Sequence, residues 1–362
     1  MDEGSARQHS GDMETSLERL GGTAFAPRST YLNTASSGLI PQAGVQAMQE
    51  AVAASAAGAP TDMFADVEAS RAAFARIAGV SERRVAAGAS VAVYAGLIAA
   101  SLPTGAEVLV AEADFSSLVT PFHIRADLEV RTAPLEDLAQ SVRPGTALVA
   151  CSAVQSADGR VADLTAVGEA ARTHGARTLV DVSQSAGWRP LDADAVDFTV
   201  AVGFKWLLCP RGVAFLTVPD DLGDLTPVFA GWVAGEHPWD SCYGPVEELA
   251  HSARRFDISP SLFSYTGARH SLALIEGIGA ATIGAHDVAL ADRFRDGLAA
   301  LGHTPVPAPG SAIVSVPGLG HRQGELSAAG IEISDRAGAL RASFHLYDST
   351  ADVDRLLDVL AG

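Results

Sequence analysis

The chain has 362 residues, 48% of them hydrophobic, and a formal net charge of −18. That is enough apolar material for a large core and a smaller second one, and so acidic a balance argues against nucleic acid and anionic membranes as partners. The three cysteines, Cys151, Cys209 and Cys242, are odd in number and lack ligand spacing, so neither a disulfide framework nor a metal site is expected.

The opening MDEGSARQHSGDM has no apolar or Arg-rich targeting pattern, which points to a cytoplasmic location. The longest apolar run, 91–100, is too short to cross a bilayer. Residues 1–28 are polar and Gly/Ser-rich and read as an N-terminal arm. YLNTASSGLIP follows, a small-residue loop and cap ahead of a helix expected over 42–57. A second helix over 64–78 leads to Gly88, Ala89 and Ser90, where tiny side chains open another helix. This is an ordinary N-cap pattern, and it also lets backbone N–H groups approach an anion. Tyr94 on that helix is expected in the core. Strands over 107–111, 128–132 and 147–154 then alternate with helices from Ser116 and near 164–174. Such alternation implies a mostly parallel sheet with its ligands at the carboxyl ends of the strands. Phe115 lies at one such end, in EADF, and Gln155 and Ser156 at another, in QSADG.

The stretch TLVDVSQSAGWRPLDADAVDFTVAVGFKWLLCPRG, 178–212, organises the rest. Of the 25 lysines and arginines only Lys205 is a lysine. It closes the apolar run 198–204, a poor place for an ammonium unless the amine is neutral or covalently engaged. A strand-end lysine reaching to solvent is the bland alternative. Arginine stays protonated and is no amine nucleophile, whereas a lysine with depressed pKa forms a Schiff base with a carbonyl. Asp181 ends another apolar strand, where a carboxylate needs a cation. The pair suggests a pyridoxal phosphate site, with the amine on the cofactor aldehyde and the carboxylate on the ring nitrogen.

After the sheet comes FAGWVAGEHPWDSCYG, 229–244, whose density of Gly and aromatics suits a pocket wall or a dimer contact. ARRFDISPS follows. Helices are expected over 266–283 and 285–300. Near the end, Arg341 opens RASFHLYDS, and Val353, Leu356, Leu357 and Leu360 share one face of a packing helix.

The strings DVSQSAGW from Asp181 and FKWLLCPRG around Lys205 resemble the class V aminotransferases of the fold-type I pyridoxal phosphate enzymes. That group includes cysteine desulfurases, kynureninase, isopenicillin N epimerase and the ergothioneine-pathway C-S lyases. The resemblance runs from about Tyr31 to Leu360. It implies an α/β fold with a seven-stranded, mostly parallel sheet in a large domain over 29–280 and a small C-terminal α/β domain over 281–362. It also implies a homodimer with composite sites and an amino-acid substrate. Lys205 and Asp181 are then catalytic. Ala89 and Ser90 hold the cofactor phosphate, joined by Ser259 from the neighbouring subunit, with Arg254 or Arg255 adding charge. Phe115 covers the ring, unless it merely packs under a helix, and Gln155, Ser156, Ser183 and Gln184 complete the cofactor site. Ala35, Ser36 and Arg341 are placed at the substrate carboxylate, and Trp232 and Tyr243 at the pocket wall. Many relatives have a hydroxyl residue and a His just before the lysine, where this chain has Val202, Gly203 and Phe204. No Cys follows Cys242, where a desulfurase carries its mobile thiolate. The expected activity is a C-S β-lyase on an L-cysteine S-conjugate. An aminotransferase, epimerase or decarboxylating deaminase is the alternative, and a desulfurase or a non-catalytic relative comes after these.

Overall fold

The structure is a computed structural model that describes residues 17–60, 62 and 64–362. In chain order its elements are β1 (Thr30–Tyr31), α1 (Gln42–Ala56), α2 (Ala65–Ala78), β2 (Val85–Gly88), α3 (Val91–Ser101), β3 (Glu107–Ala111), α4 (Ser116–Ile124), β4 (Glu129–Ala133), β5 (Thr146–Ser152), α5 (Leu164–His174), β6 (Arg177–Asp181), β7 (Phe198–Val202), β8 (Ala214–Thr217), α6 (Leu262–Ile278), α7 (Ala280–Ala300), β9 (Ile313–Pro317), α8 (Gln323–Ala328), β10 (Ile331–Glu332), β11 (Ser334–Arg336), β12 (Ala339–Ser343) and α9 (Thr350–Ala361).

Seven strands form one sheet in the order β2-β8-β7-β6-β5-β3-β4. β3 to β7 run parallel, and β8 runs antiparallel to both its neighbours. Every residue of β3 and β7 is buried, as a sheet covered on both faces requires. Successive side chains enter opposite cores: Val108 and Val110 pack with α3 and α4, while Leu109 and Ala111 pack with α5. This is the expected mostly parallel α/β sheet of fold type I. Asp181 and Ser152 end neighbouring strands and are paired in register, which brings residues far apart in sequence to one edge.

A second, three-stranded antiparallel sheet, β11-β12-β9, shares a core with α7 and α9. The chain start belongs with it. β1 pairs in parallel with β10, Leu32 sits in the same core, and Gly21 N donates to Leu346 O at 2.6 Å. Of the expected arm, 1–16 lies outside the described residues. Residues 17–28 are tied down, because Leu17 N donates to Thr350 Oγ1 and Arg19 pairs with Asp352.

The two helices expected over 266–283 and 285–300 divide elsewhere. Gly279 (φ 90) breaks them, and α6 and α7 meet at 82°. Only glycine adopts that backbone cheaply. Among the described residues no single helix is long and apolar enough to cross a membrane.

One buried ion pair secures the sheet's far edge. Arg71 (4% exposed) donates to Asp257 (6% exposed) through both terminal nitrogens and to Val85 O, and Asp257 also accepts the Ala87 amide. Removing one partner of such a pair strands the other charge, at about 3–5 kcal/mol. Arg71→Met is therefore expected to lower unfolding stability by that amount in urea titrations. A loss below about 1 kcal/mol would show that Asp257 finds another partner or a proton.

Candidate active site

The residue that closes the β7 strand run opens a tight, fully buried turn, Lys205 to Leu208, closed by Leu208 N on Lys205 O at 3.1 Å. Leu208 has φ 58, a strained conformation for a bulky side chain. Three segments press on the turn. A Cβ on Gly38 would lie 2.1 Å from Lys205 O, and one on Gly187 2.8 Å from Trp206 O. From the third side, His345 Nε2 lies 3.0 Å from Trp206 O, and its Nδ1 lies 2.8 Å from Asp287 Oδ2. Both ring nitrogens of His345 are thus engaged, and His345 and its carboxylate partner Asp287 are both fully buried.

This packing leaves Lys205 only 6% exposed. Burial pulls its pKa down to about 8; Asp181 opposes that shift, and Arg341, Arg336 and Arg211 add to it. Its Nζ lies 4.8 Å from the centre of the Phe115 ring, so the predicted Phe115 stands over the amine. Asp181 (4% exposed) has its pKa raised by burial, although it accepts the Ser183 amide at 2.8 Å and faces Lys205.

Ala89 and Ser90 join the carboxyl end of β2 to the start of α3. Ser90 is the N-cap residue, and its side chain makes no cap hydrogen bond. The first-turn amides of α3 face the site with positive dipole. Gly88 is required there, because a Cβ would meet Tyr94 Oη at 2.6 Å. Tyr94 itself is in the core, as expected.

Several predicted polar residues are already engaged. Gln184 donates to Ala35 O and Ser156 Oγ and accepts from Trp206 Nε1, so its amide is fully used in locking three loops together. Ser183 Oγ accepts the Val202 amide. Gln155 donates to Asp114 Oδ2 at 3.2 Å, and Asp114 also accepts the Ser152 and Phe115 amides. Asp114 was not singled out from the sequence, although it directly precedes Phe115.

The predicted Arg341 is 1% exposed. It donates to Ser156 O and Oγ and, at 2.8 Å, to Ser36 Oγ, while its Nε is buried without a partner. Among the described residues the other buried arginine, Arg71, pairs with two carboxylates, whereas Arg341 pairs with none. Burial, then the charge of Arg336, pull its pKa down. A guanidinium nonetheless stays protonated, so the site holds a buried, uncompensated cation. Arg336 too escaped notice in the sequence; it donates to the same Ser36 Oγ.

The structure does not bring every predicted residue here within one chain. Trp232 packs against Phe64 and Trp239, Tyr243 is 94% exposed, and Ser259 is exposed in the loop before α6. Arg254 is held by the carbonyls of Val233, Gly235 and Glu236, and Arg255 by that of Ala250.

The chain matches the family model for class-V aminotransferases over residues 30–356. It belongs to that family. It is 28% identical over 306 residues to an uncharacterized aminotransferase, YcbU, of Bacillus subtilis (strain 168), covering 80% of this chain and 81% of that one. It is 29% identical over 238 residues to isopenicillin N epimerase of Streptomyces clavuligerus, covering 59% and 60%. Among solved structures, the cystine C-S lyase C-DES in complex with its reaction product cysteine persulfide matches with a TM-score of 0.83 at 24% identity, over 92% of this chain and 97% of that one. The apo cysteine desulfurase from Thermococcus onnurineus NA1 matches at 0.81 and 22%, over 92% and 94%. The fold is thus fold type I, and pyridoxal phosphate, implied by the family's motifs, is the cofactor. The residues present fit it: an amine near neutrality, a buried acid, an aromatic face, an amide cradle that tolerates no Cβ at Gly88, and an orphaned guanidinium.

Below pH 8 the Lys205 amine is mostly protonated and unreactive; above it the free amine dominates. Capture of pyridoxal phosphate by the apoprotein, followed by its visible absorbance, is expected to accelerate as pH rises from 6.5 through about 8 and to level off about one unit above that. A rate indifferent to pH over that range would overturn the assignment of a depressed lysine.

Proposed function

We propose that this chain is a lyase that breaks the C–S bond at Cβ of an S-substituted L-cysteine, releasing a thiol and an unsaturated amine that water hydrolyses to pyruvate and ammonia. The observation that carries the amino-acid part is Arg341, a buried guanidinium with no carboxylate of its own. A fork of this kind binds an α-carboxylate through two parallel N–H bonds and so sets orientation as well as charge.

Lys205 would hold the cofactor aldehyde, Asp181 the ring nitrogen, Phe115 the ring face, and the Ala89–Ser90 amides the phosphate. When bound, the cofactor supplies an aldehyde and an electron-accepting ring. Lys205 Nζ, with a pKa near 8, takes the proton from Cα and returns it to the departing group. Asp181 would face the ring nitrogen, and its burial would make a carboxylate's charge act strongly there. Phe115 excludes water from one face.

Two features favour elimination over the competing reactions. Lys205 is a base with a pKa near 8, and an apolar ring stands across from it, whereas racemisation by two bases needs a proton carrier on each face. Persulfide chemistry needs a thiolate. Cys151 and Cys209 are buried and their pKa values are pushed up, and exposed Cys242 lies in the loop beyond Trp239. We also propose that the enzyme works as a homodimer. Val45, Val228, Phe229, Trp239, Tyr243 and Phe263 are large apolar side chains left exposed, and Ser259 is exposed as well.

Purified holoenzyme offered a panel of S-substituted cysteines is expected to yield pyruvate and ammonia in equal amounts. Formation of a keto acid only with an added amino acceptor would make it an aminotransferase instead. Arg341→Lys keeps the charge and loses the fork, so kcat/KM should fall on the order of tenfold to a hundredfold while cofactor absorbance is retained. Normal turnover would remove Arg341 from the substrate site. Replacing all three cysteines by Ser should leave pyruvate formation intact; its loss with a trapped persulfide on Cys242 would restore the desulfurase reading.

A further inference from the structure

The proposed reading gives Arg341 to the α-carboxylate and leaves a second guanidinium beside it without an anion. β11 and β12 are joined by two residues, Ala337 (φ 51) and Gly338 (φ 82), the left-handed pair of a type I′ turn. That turn sets Arg336 opposite Ala339, and Ser334 opposite Arg341. Opposed residues share a face, as do alternate residues of one strand. Arg336 and Arg341 are therefore diagonal neighbours on one face of the hairpin.

Both reach Ser36, each placing Nη2 2.8 Å from its Oγ. The two cationic nitrogens are then no more than twice that distance apart. Arg336 gives its other terminal nitrogen to Asp335 O, and among the described residues it pairs with no carboxylate. The nearest candidate, Asp335, turns its Oδ1 to the Gly338 amide at 2.8 Å. A serine oxygen has two lone pairs and one proton. The two arginines occupy the lone pairs, so the Ser36 hydroxyl hydrogen points elsewhere, as a third donor. Donors thus converge from two guanidinium groups and a hydroxyl with no anionic acceptor between them among the described residues, and Arg341 Nε is a further buried donor without a partner. Arg211, stacked 4.1 Å over Phe204, adds positive potential at Lys205 from the other wall.

One α-carboxylate neutralises one guanidinium. Arg341 is buried and Arg336 is exposed, so the surplus charge lies farther out, on the path of the substrate's side chain. We propose that Arg336 and Ser36 form a second anion subsite that takes a distal carboxylate, so that the substrate is an amino acid with an acidic group beyond Cα. This subsite rests on the proposed roles of Lys205 and Arg341, and it names the substrate class they act on.

The test compares S-carboxymethyl-L-cysteine with its neutral isostere S-carbamoylmethyl-L-cysteine on the holoenzyme. In parallel, calorimetry compares glutarate with butyrate as ligands that do not react. The acidic member of each pair is expected to be favoured at least tenfold, and the advantage should shrink as salt rises. Arg336→Gln should bring both ratios to about one, Ser36→Ala should reduce them, and Arg336→Lys should restore part of the preference. Arg336 is exposed, so these variants keep the fold, and retained cofactor absorbance checks that. Pyruvate formed equally from both cysteines, or a preference that survives Arg336→Gln, overturns the subsite and leaves the lyase reading standing. A glutarate preference that depends on Arg336 without pyruvate from any conjugate supports the subsite and removes the lyase.

Discussion

The turn from Lys205 to Leu208 constrains everything around it. Its carbonyls are packed so closely by Gly38 and Gly187 that neither position admits a side chain, and the buried imidazole of His345 lies against the peptide after Lys205. The main chain of the lysine is therefore fixed from three directions, by the N-terminal loop, the loop after β6 and the segment after β12. The first two of those segments also carry Ser36 and Gln184, and the third follows directly on the strand that carries Arg341. Gln184 bonds to Ala35, Ser156 and the Trp206 indole, so the same side chain that joins two loops also braces the turn. An amine can be kept in an apolar, desolvated position only if its backbone cannot retreat toward water, and here it cannot.

The electrostatics invert the character of the whole molecule. The chain is strongly acidic, yet around Lys205 stand Arg211, Arg336 and Arg341, each lowering the proton affinity of the amine. Asp181 is the counterweight on the other side. A desolvated amine between an acid and several permanent cations is drawn toward neutrality, the state a nucleophile or base near physiological pH needs. The acidic surface around such a pocket limits which anions accumulate near it, and the guanidinium groups select among those that enter.

How much of this was readable in advance followed from the range of each interaction. Lys205 and Asp181 stood out because they are polar residues at the ends of apolar strands, a property of contiguous sequence, and β3, α4 and α5 were found to the residue or nearly so for the same reason. Arg341 was found through its motif. Arg336 was not, because its importance comes from a two-residue turn that puts it diagonally across from Arg341, a matter of register rather than composition. Gln184 was expected near the cofactor, but its hydrogen bonds depend on where three distant loops meet. Residues 17–28 read as an arm because their polarity is local, whereas the Leu346 and Thr350 groups that fix them lie more than 300 residues away.

The departure before the lysine has a packing origin. Where the resemblance leads one to expect a hydroxyl residue and a histidine, this chain has Val202, Gly203 and Phe204, and packing constrains the last two. A Cβ at Gly203 would lie 2.8 Å from the Cβ of Cys209, which the Leu208 turn folds back beneath it. Phe204 serves as the platform on which Arg211 stacks. The two replacements are thus coupled to the Cys209 packing on one side and to the placement of a cation on the other. A polar side chain at 203 would displace a buried cysteine, and a smaller one at 204 would free Arg211 from the pocket wall. None of the three side chains before the lysine titrates, and the positive charge held on Phe204 is a guanidinium, which does not titrate either.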